Sequence, residues 1–339
     1  MIKCSTYRGG EWIVAVVFLS AHGFGAETTW VQPYLPWGDP DLQGKWNFSS
    51  RTALERDDKF GDQRYFTEQQ VQEYRLEQDA RMQAVAAPVD PNAPAPAVGG
   101  DIGQFASESL YVLLSMPNHL VEFDGQYPTA LITQPASGKL PKQTDAKQLT
   151  FRGQLLAQGH GEFDGPELRD ISERCLSIWQ VPSLHSMDLV SSNVKILQTK
   201  DAVVMAFEAL NDVRIIRLNA SHRPDVIKQW MGDAVGYWDK NTLVVKTKNF
   251  RPEQTNNFFG SSAHFELTEW FTRTDATTMH YRYTVHDPVI YTQDWTVNMT
   301  FNRLAEDFRL LEYACHEGNY SLPNILAGAR REERSANND

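Results

Sequence analysis

Cysteine is scarce in this chain of 339 residues, which contains only three. Cys4 precedes an apolar run near the N-terminus, so only Cys175 and Cys315 lie in the body of the chain. Two isolated cysteines offer too few ligands for a structural metal site. The sequence therefore leaves two alternatives, a disulfide between these residues or a reactive thiol at Cys315.

Several catalytic and binding motifs are also missing. The sequence has no His-Glu-x-x-His metal-ligand spacing, no Gly-x-Ser-x-Gly turn, no phosphate-binding loop and no dinucleotide fingerprint. Long basic runs are absent as well, and the formal net charge is −11. We therefore expect no nucleic-acid partner, and we expect any enzymatic activity to need no cofactor.

The first residues have the pattern of an export signal. Lys3 and Arg8 supply positive charge, and the apolar run from Trp12 to Leu19 is too short to span a bilayer. Cleavage after Gly25 would make residues 1–25 a signal peptide; a retained membrane anchor is the alternative. The sequence thus predicts a periplasmic or secreted protein without stable membrane insertion. In that compartment Cys175 and Cys315 are expected to form one disulfide.

Period-two patterns dominate the chain after about residue 193. They predict a series of short antiparallel strands that close into a barrel. The predicted strands include Val213 to Leu218 and Thr242 to Lys248, and the last is Phe308 to Ala314. Gly44-x-Trp46, on an alternating segment, resembles the opening strand of lipocalin-like barrels. Thr67 to Ala84 has a capping box and helical periodicity, which predict a helix. Residues 86–100 are rich in Pro, Ala and Gly, which predicts a flexible loop.

The predicted fold class is therefore mainly β, an antiparallel lipocalin-like β-barrel with an N-terminal helix and long loop elaborations. We expect one barrel domain over residues 26–339, with the elaborations between about residues 51 and 190. A small, largely apolar ligand is expected in its cavity.

Several blocks resemble a family of exported bacterial proteins that mostly lack an assigned function. The blocks include Trp230-Met231-Gly232-Asp233, Tyr283-Thr284-Val285-His286-Asp287-Pro288 and Ala314-Cys315-His316-Glu317-Gly318-Asn319-Tyr320, followed by Ile325-Leu326-Ala327-Gly328-Ala329-Arg330. The resemblance covers about residues 38 to 332 and implies a shared, lipocalin-like architecture. Family members tend to carry His where this chain has Asn211, so a catalytic role for that His would not transfer.

The first candidate for chemistry is the C-terminal cluster around His316. A histidine is suited to acid–base catalysis near neutral pH, and Glu317 could orient it. Tyr313, Asn319 and Tyr320 would bind substrate beside them. The alternative is structural, with the same polar groups capping backbone at the end of the barrel.

The second candidate combines Glu208, Asp212 and Arg214, since carboxylates beside an arginine suit substrate clamping or acid–base work. A buried ion pair that closes the barrel is the alternative. Arg174, next to Cys175, would be carried toward the C-terminal cluster by the disulfide.

The third candidate groups Asp233 and Asp287 with the aromatic residues Tyr291 and Trp295, although Asp287-Pro288 is most simply a turn. These rings are expected either to line a ligand pocket or to form part of the aromatic core.

Two functions follow from these candidates. The first is a cofactor-independent lyase, dehydratase or isomerase for a small hydrophobic hydroxylated or aromatic molecule, with His316, Glu317 and Asp212 as catalytic groups. The second is a periplasmic carrier that binds such a molecule unchanged. A haem or metal barrel with His316 as axial ligand is a third, weaker alternative. Convergence of the polar residues on one cavity would favour the enzyme, and scatter would favour the carrier.

Overall fold

The computed structural model describes residues 30–86, 120–171, 173–177, 192–253 and 260–336. From Gln32 onward these residues belong to one compact unit. The predicted signal peptide lies outside the described residues, as does the predicted loop beyond Ala86.

Ten strands form one sheet. In chain order they are β1 (Gly44–Asn47), β2 (Ile132–Gln134), β3 (Asn193–Gln198), β4 (Ala202–Phe207), β5 (Val213–Leu218), β6 (Asp233–Asp239), β7 (Thr242–Lys248), β8 (Glu266–Arg273), β9 (Thr278–His286) and β10 (Trp295–Arg303). β1 pairs with both β3 and β10, which closes a nine-stranded barrel, and β2 adds to β10. The mainly β, lipocalin-like barrel predicted from the sequence is confirmed.

The predicted strand over Phe308 to Ala314 is wrong, because this segment forms no strand. β10 already pairs with β9 on one side and with β1 and β2 on the other, so the closed barrel has no free edge there. The segment runs instead outside the ladder, where the backbone N–H of Leu311 donates to Glu208 at 2.7 Å.

The helices are α1 (Glu68–Ala86), α2 (Ala146–Leu149), α3 (Phe151–Ala157), α4 (Cys315–Gly318) and α5 (Ser321–Ala336). The predicted capping box begins α1: the N–H of Gln70 donates to Thr67 Oγ1, and the N–H of Thr67 donates to Gln70 Oε1. Within the described part of the chain, no helix has the length and apolar character needed to cross a membrane.

Strand alternation places large side chains inside the barrel. The rings of Phe271, Tyr281 and Phe301 pack together, with centroids 4.7 and 5.1 Å from Tyr281 to the other two. Trp46, from the predicted Gly-x-Trp segment, is fully buried between the guanidinium groups of Arg273 and Arg303, at 5.8 and 5.6 Å. These cation–π contacts link β1 to β8 and β10.

One strand pair departs from the antiparallel pattern. β5 and β6 run parallel and share only two residue pairs, Arg217 with Val235 and Leu218 with Gly236. The connection over residues 219–232 crosses back to start β6 at the same end of the barrel as β5. The first residues of β5 therefore separate from β6, which leaves a cleft at this seam.

Candidate functional site

The C-terminal cluster lies on the surface. His316 and Glu317 sit on the short helix α4 and are exposed, as are Tyr313 and Tyr320. Asn319 is half-buried, and its Nδ2 donates to the carbonyl of Glu173 at 2.7 Å. The side chains of this cluster therefore do not close around a common point.

The predicted disulfide between Cys175 and Cys315 is confirmed, with the two Cα atoms 5.8 Å apart. The alternative of a free reactive thiol at Cys315 is wrong, because its sulfur is bonded. Arg174 is half-buried beside Cys175. The pKa of Glu253 is lowered chiefly by its hydrogen bond with Arg251, and the charge of Arg174 adds to this effect.

The structure does not bring Glu208 and Asp212 together with Arg214. Glu208 is buried at the end of β4, where it accepts from Asn193 Nδ2 at 2.6 Å and from the backbone N–H of Leu311. Asp212 accepts from Ser177 Oγ at 3.1 Å. Glu208 thus anchors the segment that follows β10, and Asp212 contacts the chain beyond the disulfide.

Arg214 instead forms an ion pair inside the barrel. Its guanidinium donates to both carboxylate oxygens of Glu269, one bond measuring 2.9 Å, and to Thr247 Oγ1 at 2.7 Å. Tyr281 Oη donates to the same carboxylate at 2.8 Å. Burial disfavours the charge of Arg214, but attraction to Glu269 outweighs it and raises the pKa of Arg214. The alternative of a buried ion pair is therefore correct for Arg214, with Glu269 as its partner.

Tyr291 and Trp295 belong to the aromatic core. Both are buried, with ring centroids 5.6 Å apart, and Tyr291 Oη donates to the carbonyl of Gly260 at 2.9 Å. Burial raises the pKa of the Tyr291 phenol, so it stays protonated at neutral pH.

A cleft of 480 Å³ opens at the seam between β5 and β6. One wall is the start of β5 and the other is the segment over residues 228–234. Among the described residues, the lining contains five cationic side chains and a single carboxylate, that of Asp233; the cations are Arg214, Arg217, Arg223, Lys228 and Arg251. In a chain with a net charge of −11, this cleft concentrates charge of the opposite sign.

Asp233 organises the cations on one side of the cleft. Its buried carboxylate accepts from Arg217 Nη2 at 2.9 and 3.0 Å and from the backbone N–H of Arg223 at 2.8 Å, with His222 Nδ1 at 3.1 Å. Burial opposes its ionisation, but the N–H of Arg223, His222 and Arg217 outweigh burial and lower the pKa of Asp233. A single negative charge thus holds the strand residue Arg217 and the loop residues around Arg223 in place.

An aromatic ring borders the other side. Arg251 stacks on the indole of Trp230 at 4.7 Å and pairs with Glu253 at 3.0 Å. Met231 lines the cleft beside Trp230. The cleft therefore joins a flat apolar surface to a group of fixed cations.

The cations that line the cleft outnumber the carboxylates that pair with them. Glu269 and Glu253 pair with Arg214 and Arg251, while Asp233 is shared by Arg217 and Arg223. Lys228 forms no ion pair within the described part of the chain, and its Nζ lies 3.4 Å from Asn249 Oδ1. In addition, Arg214 Nε is buried and has no hydrogen-bond acceptor among the described residues. These groups leave donors and charge for an anionic ligand.

Sequence reasoning missed most of this site. One signal was present, since Arg214 and Glu269 each stand among residues of the apolar, inward face of a strand. Asp233 is also part of the third candidate, and with Trp230 and Met231 it belongs to a block of the family resemblance. Arg223 and Arg251 gave no signal, because nothing in their spacing shows that the crossover connection brings them together.

Metal binding and similarity to known proteins add no further assignment. Over the residues that the structure describes, no group of three or more His, Cys, Asp or Glu side chains is arranged to hold a metal ion. Comparisons of the chain with protein-family models, with curated proteins and with solved structures found no match.

Proposed function

We propose that this protein binds a small organic anion with an apolar ring in the cleft between β5 and β6. The observation that carries the proposal is the set of five cationic side chains around one shared carboxylate, Asp233. A cleft of 480 Å³ lies in the usual size range of small-molecule sites, about 300–1,000 Å³.

The two ends of the cleft suit the two parts of such a ligand. Arg214 Nε is a buried donor at the barrel side, and an anionic oxygen that reached it would complete the bonding of this guanidinium. Trp230 and Met231 offer apolar contacts to the ring. Arg223 and Lys228 are exposed and would attract the anion from solution.

The predicted export signal and the disulfide support a periplasmic or secreted carrier, since disulfides persist in oxidising compartments. Acid–base catalysis by His316, Glu317 and Asp212 remains a prediction that ranks below binding, because His316 and Glu317 are exposed and Asp212 hydrogen-bonds to Ser177. Membership of the exported bacterial family is likewise proposed on the sequence blocks alone.

Two fluorescent probes of similar shape test the charge requirement. Anilinonaphthalene sulfonate is anionic, and N-phenylnaphthylamine is its neutral counterpart. We expect the wild-type protein to bind the sulfonate more tightly than the neutral probe. Added salt should weaken the binding of the sulfonate but not that of the neutral probe. The variant Arg223→Gln/Lys228→Gln should weaken sulfonate binding by at least about tenfold, because it removes two of the five positive charges that attract the anion to the cleft.

Lys240→Gln is the matched control, since Lys240 is exposed at the β6–β7 turn, at the opposite end of β6 from the cleft. It should leave both probes unaffected. Equal binding of the two probes by the wild-type protein, or unchanged sulfonate affinity in the double variant, would refute the proposal.

A further inference from the structure

A second groove, of 440 Å³, lies on the outer face of the barrel across β7 to β10. Its floor is formed by outward-facing residues of adjacent strands, and its wall by Tyr65, Phe123 and Pro128 from the segments before β2. Among the described residues, no aspartate or glutamate lines it, and the one Lys or Arg side chain in the lining is that of Arg282. The groove therefore differs in charge from the cleft between β5 and β6.

Arg282 stacks on an indole ring in this groove. It pairs in register with Trp270 across β8 and β9, and its guanidinium lies 4.0 Å from the centroid of the Trp270 ring. Among the residues that the structure describes, the side chain of Arg282 forms no hydrogen bond and no ion pair, and it is exposed. Stacking on an indole leaves the N–H edge of a guanidinium available, and its planar fork matches a carboxylate.

Neutral polar groups surround this cation. His280 is half-buried with its ring edge-on to Phe123 at 5.0 Å, and burial lowers its pKa although Asp124 and Asp275 oppose the shift. Asn298 Nδ2 donates to Thr133 Oγ1 at 2.7 Å, which leaves its carbonyl oxygen as an acceptor. A ligand hydroxyl would find both a donor and an acceptor here.

We infer that the groove is a second ligand site, for a small monocarboxylate with a flat ring. The carboxylate would accept two parallel hydrogen bonds from Arg282, and the ring would pack against Tyr65 and Phe123. One unpaired cation in a lining without carboxylates matches a single negative charge. The site is independent of the cleft, with which it shares no lining residue.

Calorimetric titration with para-hydroxybenzoate tests this site, with para-hydroxybenzamide as its neutral counterpart. The titrations use the Arg223→Gln/Lys228→Gln protein, in which the cleft has lost two cations, so that the groove is measured separately. We expect the benzoate to bind with one equivalent per chain and the amide to bind more weakly. Adding Arg282→Gln should lower the affinity for the benzoate by at least about tenfold.

Arg282→Lys keeps the charge but loses the planar fork, so it should weaken benzoate binding while circular dichroism and the melting temperature stay close to those of the parent. Arg309→Gln, at an exposed arginine outside the lining, should change nothing. Benzoate affinity that is unaffected by both Arg282 variants, or equal affinity for the amide, would overturn the inference. Either result would leave the cleft proposal standing, because that proposal depends on Arg223 and Lys228.

Discussion

The buried pair of Arg214 and Glu269 gives the sharpest stability prediction. Both side chains are almost fully buried, with exposures of 2% and 0%. Arg214→Met keeps an unbranched side chain in place but removes the charge that faces Glu269. The stranded carboxylate would retain the hydrogen bond that Tyr281 Oη donates.

The expected cost of Arg214→Met is about 3–5 kcal/mol, the usual range when one member of a buried ion pair is removed. The second variant, Arg214→Met/Glu269→Leu, removes both charges and replaces the pair with apolar side chains. Tyr281 and Thr247 then lose partners, at about 1–3 kcal/mol for each group left unsatisfied. We still expect the double variant to be more stable than Arg214→Met, by at least about 2 kcal/mol, because no unpaired charge remains.

Urea unfolding under oxidising conditions, followed by tryptophan fluorescence, measures these free energies if the m-value is unchanged. Glu333→Gln is the control, since Glu333 pairs with Arg330 on the exposed helix α5, and it should cost no more than about 0.5 kcal/mol. A loss below about 1 kcal/mol for Arg214→Met, or a double variant less stable than the single one, would show that the pair is not a buried, mutually dependent unit.

Three further predictions concern the cleft, the disulfide and the segment after β10. The pKa of Asp233 is lowered in the native state, so its ionisation stabilises the fold at pH values above its unfolded pKa of about 4, and this stabilisation is lost as the pH falls through the native pKa. Asp233→Asn should therefore make the unfolding free energy less dependent on pH in the acid range. An unchanged pH dependence would contradict the network around Asp233. The disulfide joins residues that are 140 positions apart, so Cys315→Ser should lower the free energy of unfolding by roughly 2–5 kcal/mol. Urea unfolding measures this loss, and an unchanged midpoint would contradict it. Glu208→Ala should cost about 2 kcal/mol and speed hydrogen exchange at the amide of Leu311, whereas unchanged exchange would show that this contact does not anchor the segment.

Much of the barrel could be predicted because alternation along a strand is a local property. β5 and β7 coincide with their predicted ranges, and α1 begins after its capping box. The predicted strand over Phe308 to Ala314 was wrong because strand propensity does not show whether a sheet edge is free to pair, and both edges of β10 are occupied. The parallel pairing of β5 and β6 could not be inferred either, since a connection of residues 219–232 fits several crossings.

The candidate site was harder to predict, because it depends on contacts between distant residues. The disulfide followed from counting cysteines in an exported chain. The polar cluster around His316 was chosen for its chemistry, yet α4 places His316 and Glu317 in solvent. The partner of Arg214 is Glu269, 55 positions away, and only the closure of the barrel brings them together.

The parallel pairing of β5 and β6 also divides the barrel into two parts that can fold separately. β3, β4 and β5 form one run of neighbouring hairpins and β6 to β10 form another, and each run can assemble from contacts close in sequence. Their junction has only two residue pairs, so it should form late and open with the loss of few hydrogen bonds. A ligand could then enter beside Arg214 when β5 and β6 separate briefly, while the rest of the sheet stays folded.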